Sequence, residues 1–189
     1  MAEDFLSSRK RGLEEEYFQR KDRELVEKMR QRAQAEQRLR ELGESMGVTD
    51  PEVIHELAEL GFTPETVKLL PLIPVLEMAW AGGGVTPPER KMVIDVARAR
   101  GIEEKSAADH QLLEWLDRRP EESVFRRAGR LIDALFASGV PFDLTPDDLL
   151  KYCEAIADAS GGLFGIRRVS ADERATLERI TNEIKSRQK

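Results

Sequence analysis

The acidic residues that flank two glycine turns are where this sequence comes nearest to a ligand set. A bound divalent cation needs several oxygen or nitrogen donors converging at set spacing. Around Gly161-Gly162 the chain supplies Asp158 on one side and Asp172 with Glu173 on the other, separated by a loop that also holds Arg167 and Arg168. The earlier turn, Gly82-Gly83-Gly84, supplies no carboxylate. Helix capping and surface solvation account for these acids better than a metal does. No cofactor is therefore expected, and Asp158, Asp172 and Glu173 stand as the candidates should a divalent cation bind. His55 and His110 are isolated, with no second histidine or glutamate at ligand spacing.

Nucleophilic chemistry fares no better. It needs a serine or cysteine with a base and an orienting third group, and Cys153 falls on a helix where a small core residue fits. The glycine turns lack the spacing and following lysine of a phosphate-binding loop, and no strand precedes them. They read as turns that use positive φ. Trp80 and Trp115 fall at core spacing. The chain is expected not to be an enzyme.

A binding surface is easier to find. Leu13, Tyr17, Leu25 and Met29 recur at helical spacing, and Phe18 and Val26 broaden the stripe. Between Gln31 and Arg38 only Ala33 and Ala35 are apolar, before Leu39, Leu42 and Met46 resume and are expected to dock the helix onto a globular domain. Every fourth residue from Glu16 to Glu44 is charged, and Glu16/Arg20, Glu24/Lys28 and Glu36/Arg40 have the favourable order of an i,i+4 pair. Residues 5–44, free of proline, predict a helical rod of roughly 60 Å. Aromatic side chains set among charges suit an interface, and helix-in-groove docking reads this spacing directly. Folding back on its own domain and pairing in a homodimer are the competing expectations.

Behind the rod the punctuation becomes dense. Thr49-Asp50-Pro51 opens a helix to Leu60 that Gly61 closes, and Thr63-Pro64-Glu65 opens the next segment. A helix from about Leu70 to Ala81 tolerates Pro71 and Pro74 in its first turn, where amides have no internal partner. Thr86-Pro87-Pro88-Glu89 is a capping box, and its helix runs to Gly101 with Met92, Val93, Val96 and Ala97 inside. A helix over 106–117 buries Leu112, Leu113 and Leu116. The next, over 122–137, carries Phe125, Ala128, Leu131, Ile132, Leu135 and Phe136 on one face before Gly139 and Pro141. Thr145-Pro146-Asp147-Asp148 and Ser170-Ala171-Asp172-Glu173 start the last two helices. No segment alternates with period two, so the chain is all-α.

Two stretches repeat one another. Leu76-Glu77-Met78-Ala79-Trp80-Ala81, glycines, Val85-Thr86 and Glu89-Arg90 are echoed by Cys153-Glu154-Ala155-Ile156-Ala157-Asp158, glycines, Val169-Ser170 and Glu173-Arg174. The reading is an all-α helical bundle of two pseudo-repeated helix-turn-helix hairpins with a long charged N-terminal helix. The rod covers residues 1–45 and the helical domain 46–189. Over about residues 63–187 these motifs resemble the TerB-like (tellurite-resistance) helical domain, which implies a non-catalytic, stress-associated role. The glycine turns would be the site in the alternative, a divalent-cation sensor. Separately, Glu14-Glu15, Tyr17-Phe18 and Arg23-Glu24 are similar to the inhibitory helix of the mitochondrial ATP synthase inhibitor family. That helix inserts between catalytic subunits of the rotary head and blocks ATP hydrolysis. The resemblance implies that Glu15, Tyr17, Phe18, Arg23 and Glu24 are contact residues, beside Leu13, Leu25 and Met29 of the stripe.

Composition limits the partners. Residues 1–45 hold eleven basic and eleven acidic side chains, so the net −6 resides in the remainder, 19 basic against 25 acidic. That balance disfavours a nucleic-acid partner, which calls for a basic stripe. Leu69 to Leu76 is too short to span a bilayer and holds two prolines. With a single cysteine and no secretory leader, a cytoplasmic location is expected. The partner is expected to be a protein, or another copy of the chain.

Overall fold

The computed structural model describes residues 2–137, 145–160 and 170–185, with side chains for 16–135, 145, 147–159 and 170–183. The expected turn from Gly161 to Val169 and the break at Gly139 and Pro141 lie outside the described residues, as does the side chain of Phe136. Among the described residues every regular element is helical. They are α1 (Ala2–Met46), α2 (Pro51–Glu59), a 3-10 segment (Val67–Leu72), α3 (Ile73–Trp80), α4 (Pro87–Ala99), α5 (Ala107–Asp117), α6 (Glu122–Ala137), α7 (Pro146–Ser160) and α8 (Ala171–Lys185). The chain divides into two compact units, Met1–Glu41 and Leu42–Lys189.

The larger unit is built around α3 and α7. These two helices pack together, α4 and α8 each pack on α7 and α3, and α6 packs on α3. α3 is enclosed because Ile73, Val75, Leu76, Met78 and Ala79 leave almost no polar face, and all five are buried. The expected start near Leu70 is replaced by a 3-10 segment that carries Pro71, and the α-helix begins at Ile73. Pro74 has no amide to donate, so an α-ladder can start only where that amide is not needed. Leu112 and Leu116 are core residues of α5, but Leu113 is only half-buried, and Ala108 and Asp109 take the inward places.

α1 passes through Gly43, as the predicted rod does. The helix runs on to Met46, and Gly47, at φ 67°, makes the turn. A Cβ on Gly43 would stand 2.8 Å from the Val48 carbonyl oxygen and 2.6 Å from Ile54 Cδ1. This glycine therefore serves close packing inside the larger unit, where Leu42 is buried and Met46 packs on the core. Around the link from α4 to α5, Asp109 is buried. It accepts from Arg98 Nη2 (2.6 Å) and from the Lys105 amide (2.7 Å), and Arg98 Nη1 also donates to the Ile102 carbonyl (2.9 Å). The Arg98 hydrogen bond, then the amide, hold the Asp109 carboxyl below the usual aspartate range.

Candidate functional site

Over residues 16–41 of α1, all but Leu39 are exposed. Tyr17 (48%), Phe18 (62%), Leu25 (57%), Val26 (47%) and Met29 (62%) are the large apolar side chains left exposed among the described residues. Tyr17 and Phe18 meet edge to face with centroids 5.8 Å apart. The Arg20 guanidinium and the Lys21 ammonium lie 5.8 and 5.9 Å from the Tyr17 centroid. The i,i+4 ion pairs read from the sequence are not closed. Glu24 is held by Lys21 at 3.2 Å, and the Arg23 guanidinium donates to the Gln19 carbonyl. Exposed pairs gain too little to fix two long side chains in one geometry. Leu13 and Glu15 lie on α1, but their side chains are outside the described residues.

The glycine-turn acids serve the backbone. Glu173 is buried; its Oε2 accepts from the Ser170 amide at 2.6 Å, while the Ser170 hydroxyl accepts from the Glu173 amide at 3.1 Å. Thr86 and Glu89 form the equivalent box, and Glu89 is likewise buried. The two hairpins meet at this level, since a Cβ on Gly82 would stand 2.8 Å from Glu173 Oε1. Asp158 and Asp172 are exposed, and among the described residues no group of three or more His, Cys, Asp or Glu side chains could hold a metal ion. Cys153 is fully buried, and burial, with the charges of Glu77 and Glu154 adding, pushes its thiol up to about 12. A thiol held that high supplies no thiolate nucleophile at neutral pH. Trp80 and Trp115 are half-buried against the core, the Trp80 indole donating to the Trp115 carbonyl at 2.9 Å.

Sequence reasoning missed a cleft of about 280 Å³ between α3, α6 and α8, with Leu149 of α7 in its wall. Phe125, Ile132, Leu149 and Ile180 give it apolar walls, and charged residues ring it. Arg179 of α8 reaches Glu77 of α3, a partner 102 positions away, and also Glu183 at 2.9 Å. Burial pushes the Glu77 carboxyl up, against the pull of Arg179, and the nearby charges of Glu122 and Glu183 add to the rise. Glu77 and Glu183 thus share the Arg179 guanidinium at one end of the cleft, while Glu122 pairs with Arg119 at 3.0 Å, and Arg126 and Arg130 also line the cleft. No spacing rule pairs Glu77 with Arg179; only the repeat, which places Glu77 and Glu154 alike, drew attention to that position.

No helix among the described residues is long and apolar enough to cross a membrane. Comparison of the chain with protein-family models, curated proteins and solved structures returns no match.

Proposed function

We propose that this chain is a non-catalytic helical protein that engages a protein partner through α1. The observation that supports the reading most is the distribution of exposed apolar surface. Tyr17, Phe18, Leu25, Val26 and Met29 all lie on α1, while the described large apolar side chains of α3 and α5 to α8 are buried or half-buried. Keeping two aromatics and three aliphatic side chains in water is unfavourable by roughly 25 cal/mol for each Å² that a partner would cover. Such anchors are the usual energetic centres of an interface. The quoted motifs carry the further suggestion of a TerB-like, stress-associated context. An inhibitor-like block of a rotary ATPase by Glu15, Tyr17, Phe18, Arg23 and Glu24 is its most specific version.

The test is affinity capture from native cells with the intact chain and with a Phe18→Ser/Leu25→Ser/Met29→Ser variant. A captured protein that disappears with the variant is the expected result. An identical captured set from both defeats the reading. The inhibitor version is checked apart, by ATP hydrolysis of isolated rotary heads with each chain.

A further inference from the structure

One face of α1 repeats at the alternating four- and three-residue spacing of a coiled-coil seam. Phe18, Asp22, Leu25, Met29, Arg32 and Glu36 follow that spacing and fall within about 80° of arc on the helix. All six side chains are exposed, and among the described residues Asp22, Arg32 and Glu36 have no ion partner. The seam therefore holds an apolar centre, Leu25 and Met29, with an unpaired acid on one side and an unpaired base on the other.

How this face meets a copy of itself depends on direction. In a parallel, in-register pair each residue faces its own counterpart, so Asp22, Arg32 and Glu36 would each meet a like charge. Reversing one helix changes the match. Placing Leu25 opposite Met29 of a reversed copy also places Asp22 opposite Arg32, and a two-fold axis repeats both contacts. Sliding the copy by a heptad either way loses this, setting Asp22 against Leu25 or Arg32 against Met29. Near the axis Val26 stands beside its own counterpart and widens the apolar centre. The arrangement has two costs. Phe18 faces Glu36, and Lys28 comes near its own counterpart at the solvent edge, where salt blunts the repulsion. The paired stretch stops at Glu36, short of Leu42, where the larger unit begins.

We propose that the partner of α1 is α1 of a second copy of this chain, running antiparallel, with Leu25 against Met29 and Asp22 against Arg32 on both sides of a two-fold axis. The proposal rests on reading α1 as the binding element. Complementary charges flanking the apolar centre set direction and register, as charge pairs do at other interfaces.

Sedimentation velocity of the full chain across micromolar concentrations tests it. The expected result is reversible association that stops at the dimer, because a two-fold contact closes on itself. Asp22→Arg alone and Arg32→Asp alone each set two like-charge contacts in the seam, and each should weaken the dimer by about tenfold or more. The double exchange Asp22→Arg/Arg32→Asp should restore it, since the two signs again face each other. Helical circular dichroism should be unchanged throughout, because both residues are exposed. A parallel pair would leave all three variants associating like the wild type, and that result overturns the proposal. So does a double exchange as weak as the single ones, or a wild-type chain that stays monomeric at all concentrations. If the chain is monomeric while cellular capture still depends on Phe18, Leu25 and Met29, α1 serves another protein, and only the second-copy assignment falls. If capture is also unchanged by that variant, both readings fall together.

Discussion

α1 and α3 are both helices, and they are helices for opposite reasons. α1 spans 45 residues dominated by Glu, Arg, Lys, Gln, Leu and Ala, the side chains that lose least on entering a helix. Its described side chains up to Arg40 are exposed, Leu39 partly so, and local preference sustains it. α3 has eight residues, includes a proline and a tryptophan, and is far below the length at which an isolated helix persists in water. It exists because its neighbours enclose it. The lesson concerns where substitutions are felt. In α3 the fold and the side chain are inseparable, whereas in α1 a side chain can be exchanged for recognition with little effect on folding. A surface that evolves to meet partners is easier to keep on the second kind of element.

The largest expected contrast is between Leu76→Ala and Phe18→Ser. Leu76 is 1% exposed on α3, and its truncation should lower unfolding stability by about 2–5 kcal/mol. Phe18→Ser should change it by less than about 0.5 kcal/mol. Urea titrations followed by circular dichroism decide this, and comparable losses would break the contrast. Next comes Asp109→Asn, which deprives Arg98 of its charged acceptor in the larger unit and should cost roughly 2–3 kcal/mol. Because the folded Asp109 pKa is lowered, its contribution is fully present above the unfolded value of about 4. It is lost as pH falls through the folded value. The gap between wild type and Asp109→Asn should therefore close in acid, and a gap that is flat with pH would deny the ion pair. The smallest effect is Gly129→Ala. With nothing within 4 Å of the added Cβ, it should stabilise the fold by about 0.5–1 kcal/mol. Thermal melts of the two chains check this, and a lowered midpoint for Gly129→Ala would break it.

Much of the frame was legible from residue types. Thr86 with Glu89 and Ser170 with Glu173 read as capping boxes, and both are formed. Phe125, Ala128, Leu131, Ile132 and Leu135 read as one face of α6, and all are buried. These are local statements, fixed by periodicity of about 3.6 and by amides that need caps. Gly43 lies inside the predicted rod, and its packing role was not legible from the pattern. The close approach of the Val48 carbonyl, brought about by the chain's return after α1, employs it. The ion pairs expected along α1 failed for another reason: spacing permits a contact but does not decide among equal neighbours. Glu24 went to Lys21.

The stripe from Tyr17 to Met29 belongs to the sequence alone, because a helix turns a fixed angle per residue whatever surrounds it. The cleft belongs to the tertiary structure alone. Glu77 and Arg179 stand 102 positions apart, and only the packing of α3, α6 and α8 brings them, with Glu122 and Glu183, to one rim. Periodicity reports which face of a helix is apolar; which helix covers that face, and what charges meet at its edge, is settled when the core closes.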